Sequence, residues 1–163
     1  MTPEDSLLAI SEIGIGLAGF SGLVAAFVQH SGQEWRLEQK ARIVLLIILS
    51  FGLMISSLIP FALSGINDSP ALVWGTPMVA FSLLCLSLLV VWIRTSRKYG
   101  FRLYFPFISL PIMSVASTLQ VIGILSGIGL IFPYSPTLFV FCLLSVLIFG
   151  ANIFLALLYS IWG

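Results

Sequence analysis

Few side chains in this sequence could do chemistry, and the one in the most unusual setting is Glu12. It lies in an apolar and glycine-rich run from Leu7 to Val28 that carries no other charge. A carboxyl inside hydrocarbon costs about 3 kcal/mol unless it is neutralised, partnered or hydrated. Three states stay open. Glu12 is protonated and hydrogen-bonded to a neighbouring helix, or it reaches up to the nearby interface, or it belongs to a ring of carboxylates around a water-filled path that favours cations. Gly14, Ala18, Gly22 and Ala26 follow at every fourth position, the small-xxx-small pattern that lets helix backbones approach closely. Gly16 and Gly19 widen that surface on the side of Glu12. Such a face packs either against the chain's own helices or against copies of itself around an axis.

Uncharged polar groups make a second set. Ser117, Gln120, Gly123 and Gly127 share one side of a later apolar run, with Ser114 and Thr118 adjacent, and Asn152 lies in the run after it. An amide in hydrocarbon must face protein or water. Gln120 and Asn152 are therefore expected either to tie helices together or to line a polar path. Pro60 and Pro77 each remove a helical hydrogen bond and are expected to kink their helices. Ser56, Ser57 and Thr76 stand close enough to satisfy the freed carbonyls. The two prolines form a hinge, open a vestibule, or simply set a static shape.

Other chemistries fail on spacing. Gly19-Phe20-Ser21-Gly22 has the G-x-S-G form of an intramembrane serine protease, but the only histidine, His30, would sit about 13 Å further along a helix and on its opposite face. One histidine cannot give two axial haem ligands within a chain. Lys40 and Lys98 fall in predicted loops, which excludes a retinal Schiff base. There is no potassium-filter sequence, phosphate loop or metal-ligand cluster. Cys85 and Cys142 lie in apolar runs without a C-x-x-C and read as small buried residues. No cofactor is expected, and with only Glu12 deep in an apolar run the chain lacks the paired titratable groups of an enzyme.

The elements that must carry these residues follow from composition. Of 163 residues, 60% are hydrophobic and 8% charged, and mean hydropathy is +1.16. A soluble domain has about a quarter of its residues charged. Apolar runs beyond about 18 residues recur along the chain, and we read five transmembrane helices at 7–29, 41–66, 70–94, 105–131 and 136–162. They form an all-α integral membrane fold: one lone helix, then two hairpins, in a single domain over 1–163. Ser69-Pro70 and Ser135-Pro136 place a capping hydroxyl before a proline at the first helical position. Ser31-x-x-Glu34 is a capping box that would start the second helix early, with Glu38 and Arg42 pairing one turn apart. The net charge of +1 gives no nucleic-acid footprint. The acidic start, Met1 to Ser6, lacks the basic region of a signal peptide, so the first helix is expected to remain in the mature protein.

All basic residues fall in two predicted loops, Arg36, Lys40 and Arg42 in one and Arg94, Arg97, Lys98 and Arg102 in the other. Five spans put both loops on one side, which the positive-inside rule makes cytoplasmic. The N-terminus is then outside and the C-terminus inside. Trp74 and Tyr134 fall at outer ends, and Trp35, Trp92, Tyr99, Tyr104, Tyr159 and Trp162 at inner ends or loops, as an aromatic belt requires.

The run Ser11-Glu12-x-Gly14-x-Gly16-x-Ala18-Gly19-Phe20-Ser21-Gly22 resembles the opening helix of small uncharacterised bacterial polytopic membrane proteins with a glycine-rich first helix. The resemblance covers about a tenth of the chain and implies a bacterial inner-membrane setting, with no activity attached. The leading functional expectation is a small homo-oligomeric channel or pore, conducting cations. One alternative is a non-catalytic sensor or anchor subunit of a larger complex, such as a stress or defence system, docked through its basic cytoplasmic loops. The other is a transporter of a lipid-like molecule or a membrane enzyme. The expected partners are the bilayer, further copies of the chain, and a protein bound at those loops.

Overall fold

The computed structural model describes residues 2–30, 36–66, 69–99 and 109–162. Its elements are α1 (Pro3–His30), α2 (Leu37–Ser64), a single π-turn (Ala71–Gly75) leading into α3 (Thr76–Tyr99), α4 (Ser109–Gly127) and α5 (Pro136–Trp162). No strand occurs among the described residues. Helix is what such apolar sequence dictates, because in lipid each backbone group must be satisfied within its own segment. Four described helical stretches, Pro3–Phe27, Leu37–Ser64, Ala71–Thr95 and Pro136–Tyr159, are long and apolar enough to cross a membrane. The surface they present is apolar too, with Phe27, Ile66 and Leu155 among its most exposed side chains. Both features fit a multi-pass membrane protein.

Local chemistry sets the ends. Thr2 and Asp5 cap α1 reciprocally: the Asp5 N–H donates to Thr2 Oγ1 at 3.2 Å and the Thr2 N–H to Asp5 Oδ2 at 2.9 Å, with Pro3 at the first helical position. At α2 the Arg36 N–H donates to Gln39 Oε1 at 3.1 Å. The predicted box at Ser31 and Glu34 lies outside the described residues, as do Trp35, Arg102 and Tyr104. Ser135 caps α5, its Oγ accepting the Leu138 N–H at 3.3 Å.

Helix α4 ends at Gly127, short of the expected 131. Gly129 takes φ +82°, the Leu130 N–H reaches back to Leu125 O at 2.8 Å and the Gly129 N–H to Ser126 O at 3.0 Å. This is a Schellman ending, which only a left-handed residue can make cheaply. The expected start at 105 lies outside the described residues. Within them the apolar part of α4, Pro111–Gly127, is shorter than the four candidate spans.

The helices alternate in direction. Gly14 meets Ser50 and Met54, Gly52 meets Leu84, and Gly123 meets both Ser82 and Cys142. Helices α2 and α5 form the middle of the bundle, with Leu46, Leu49, Leu53, Phe139, Leu143 and Val146 in its core. Helix α1 flanks that middle, packed on α2 and α5, while α3 and α4 cover the other side. The first turns of α2 and the last turns of α3 and α5 therefore share one end of the bundle.

The prolines are handled differently from one another. Pro60 is buried inside α2. Pro77 follows the π-turn, which closes with the Thr76 N–H donating to Ala71 O. The nearby hydroxyls take other carbonyls than those the prolines free: Ser57 Oγ donates to Met54 O at 2.9 Å and Thr76 Oγ1 to Ala71 O at 3.5 Å.

Candidate functional site

The small-residue surface of α1 divides in two. Leu7, Ile10, Ser11, Gly14 and Ser21 are buried against the bundle. A Cβ on Gly14 would stand 3.2 Å from Ser50 O, so the backbones of α1 and α2 approach closely there. Ala18 is half-buried, and Gly22 and Ala26 are exposed. The expected single face of Gly14, Ala18, Gly22 and Ala26 is thus corrected. A four-residue repeat drifts about 40° per step around a helix, and over this run the drift carries it from the bundle to the outside.

Glu12 is exposed and points away from α2 and α5. At about 100° per residue, Gly16, Gly19 and Leu23 lie within about 40° of it. Nothing stands within 4 Å of a Cβ built on Gly16, Gly19 or Gly22. Glu12 makes no hydrogen bond or ion pair with a described residue. A hydrogen bond to a neighbouring helix of the same chain is therefore not the state observed. Ser21 is fully buried, with its Oγ donating to Leu17 O at 2.7 Å, while His30 is exposed on the opposite face. No serine–histidine pair forms.

Gln120, 2% exposed, joins three helices. Its Oε1 accepts from Ser82 Oγ of α3 at 3.0 Å, and its Nε2 donates to Cys142 O and Ser145 Oγ of α5 at 3.0 and 3.3 Å. Cys142 Sγ donates to Leu119 O at 3.3 Å. The node ties three helices with both Nε2 donors and the Oε1 acceptor engaged, and Ser117 turns its hydroxyl to Met113 O at 2.7 Å on its own helix. Asn152 is half-buried, two turns from the node, and is not brought to Gln120. Ser82 and Ser145 went unrecognised in the sequence because a serine in an apolar helix usually bonds its own preceding turn. Ser145 does so as well, to Cys142 O at 2.7 Å. Gln120→Leu is expected to lower stability by roughly 1–2 kcal/mol, measured by reversible unfolding in mixed micelles. An unchanged unfolding midpoint would show that the node does not hold α3, α4 and α5 together.

Below the node a narrow cleft between α2, α3, α4 and α5 is lined by Leu45, Cys85, Leu89, Trp92, Met113 and Phe149. Its walls are mostly apolar, with Ser117 and Gln120 among the residues that line it. No group of three or more His, Cys, Asp or Glu able to hold a metal occurs among the described residues.

The basic residues mark one end of the bundle, but several are not in loops. Lys40 and Arg42 belong to α2, and Arg94, Arg97 and Lys98 to the last turns of α3. Arg36, Lys40, Arg94, Arg97 and Lys98 are exposed. Arg42 is 7% exposed, its Nη1 donating to Ala156 O at 3.0 Å and its Nη2 standing 3.8 Å from Glu38 Oε2. It ties α2 to α5 instead of facing outward, because α2 begins at Leu37 and turns position 42 towards the core. Among the aromatics, Trp92 is buried, Tyr159 exposed and Trp74 half-buried, and Trp162 ends α5. At the other end Pro60, Trp74 and Glu4 line a shallow pocket.

No protein-family profile, curated protein or solved structure matches the chain.

Proposed function

We propose that this chain is a five-span bacterial inner-membrane protein that assembles into a small homo-oligomeric channel, with the outward face of α1 lining a cation-conducting path. Helix α4 is the fifth span in this reading, since it packs antiparallel between α3 and α5 and carries the chain away from the basic end, bringing Gly127 to Gly75 at the opposite one. That end, with its exposed Arg36, Lys40, Arg94, Arg97 and Lys98, is cytoplasmic by the positive-inside rule. The observation that carries the reading is Glu12, a carboxyl on the lipid-facing side of the monomer flanked by the open Gly16 and Gly19. Lipid tails cannot solvate it. Copies of α1 around an axis would place the carboxylates towards shared water, where they attract cations.

The test is ion flux through purified protein reconstituted in liposomes. Flux with a preference for cations is expected, and Glu12→Gln should reduce that preference several-fold. Liposomes that stay tight across ions and voltages, with insertion verified, would reject the channel. The exposed cations at the basic end favour a second reading, a scaffold subunit that docks an acidic partner there. Reversing the charge of Arg94 and Arg97 would abolish recovery of that partner and leave flux unaltered.

A further inference from the structure

The outward face of α1 carries more than Glu12. Helix α1 is continuous from Pro3 to His30. At about 100° per residue Asp5, Glu12 and His30 project within about 20° of one another, and all three are exposed. Gly16, Gly19 and Leu23 fill the line between Glu12 and His30. Those two residues are separated by about 27 Å along the axis, close to the thickness of the hydrocarbon layer. The remaining ionisable side chain of α1, Glu4, lies off the line, against the pocket at Pro60 and Trp74. One face thus bears an acid at its outer end, an acid within the outer leaflet and an imidazole at the basic end.

Helix α1 packs on α2 and α5. At the His30 end α2 and the residue before it contribute Arg36, Glu38, Lys40 and Arg42, and the described part of α5 contributes Tyr159. Glu38 is drawn to Arg42, which is tied to Ala156. Among the described residues, the exposed ionic groups of the neighbouring elements at this end are therefore mainly cationic, and none of their carboxylates is committed to His30.

We propose that His30 forms the inner, pH-responsive ring of the conduction path, passing cations when neutral and barring them when protonated. This rests on the channel reading. Histidine is the side chain that gains charge on mild acidification, and several imidazolium groups around one axis would raise a positive barrier in the path of cations gathered at Glu12. Leaving the outer side at neutral pH confines the pH step to the His30 end of α1.

The experiment uses oriented proteoliposomes with only the compartment facing the basic end shifted from pH 7.5 to pH 5.5. Wild-type potassium flux is expected to fall about fivefold or more. His30→Gln should conduct equally at both pH values, and His30→Arg should stay low at both. Flux that ignores this pH step, or a fall that survives in His30→Gln, would overturn the role of His30 while leaving the channel standing. Absence of flux at either pH would overturn both.

Discussion

Replacing Gly127 with valine is expected to break the packing of α4 on α3, with a loss of roughly 3 kcal/mol or more. A Cβ at Gly127 would lie 2.5 Å from Val79 Cγ2 and 2.8 Å from Gly75 O. The first contact is a branched side chain with little freedom to move, and the second is backbone. On the other side a Cβ at Gly75 would lie 2.7 Å from Gly127 O and 3.0 Å from the Tyr134 ring. The two glycines thus create one close crossing from both sides. Valine cannot be accommodated by a side-chain shift, so the helices must separate. Separation would lengthen the Ser82–Gln120 bond one to two turns away, now 3.0 Å, and so couple the crossing to the polar node. In mixed-micelle unfolding the variant should melt early or fail to fold. Gly127→Ala should give a smaller loss of the same sign. A valine variant as stable as wild type would mean that α3 and α4 do not cross here.

How much of this was legible beforehand depended on the type of signal. The helical character followed from uninterrupted apolar sequence, which leaves the backbone no other choice in lipid. The start of α5 was readable because Ser135-Pro136 acts locally. The end of α4 was also locally encoded, in Gly129, but an apolar continuation through Ile128, Leu130 and Ile131 hid it. Hydropathy cannot separate a helix from an apolar loop that follows it. Arg42 was misplaced for a related reason. Charge suggests a loop, whereas the turn of α2 directs position 42 inward to Ala156 O. Gln120 reads in the sequence as a polar group needing partners, but the sequence does not say which, since they lie on α3 and α5 and depend on helix rotation. Rotation also decided α1. The sequence displays many small residues there, and only packing reveals that Gly14 serves the bundle while Gly16, Gly19 and Gly22 do not.

That division leads to the second large expected effect. On the channel reading, Gly19→Leu should leave the monomer folded and abolish the proposed oligomer, whereas Gly14→Leu should damage the fold itself. A Cβ at Gly19 meets nothing within 4 Å, so a leucine there extends into what is lipid around the isolated chain. Its transfer within hydrocarbon has no appreciable hydrophobic cost. Between copies of α1 the same side chain would hold backbones apart that Gly16 and Gly19 allow to approach closely. At Gly14 the added Cβ starts 3.2 Å from Ser50 O and 3.7 Å from Leu53 Cβ, and a full leucine would push α1 off α2. The measurements are particle mass in detergent, by light scattering, and the unfolding midpoint of each variant. Gly19→Leu should give a monomer mass with a midpoint near wild type and at least tenfold lower flux. Gly14→Leu should lower the midpoint. If Gly19→Leu keeps both assembly and flux, the outward face of α1 is not the surface through which copies meet, and Glu12 must satisfy its carboxyl at the lipid headgroups instead.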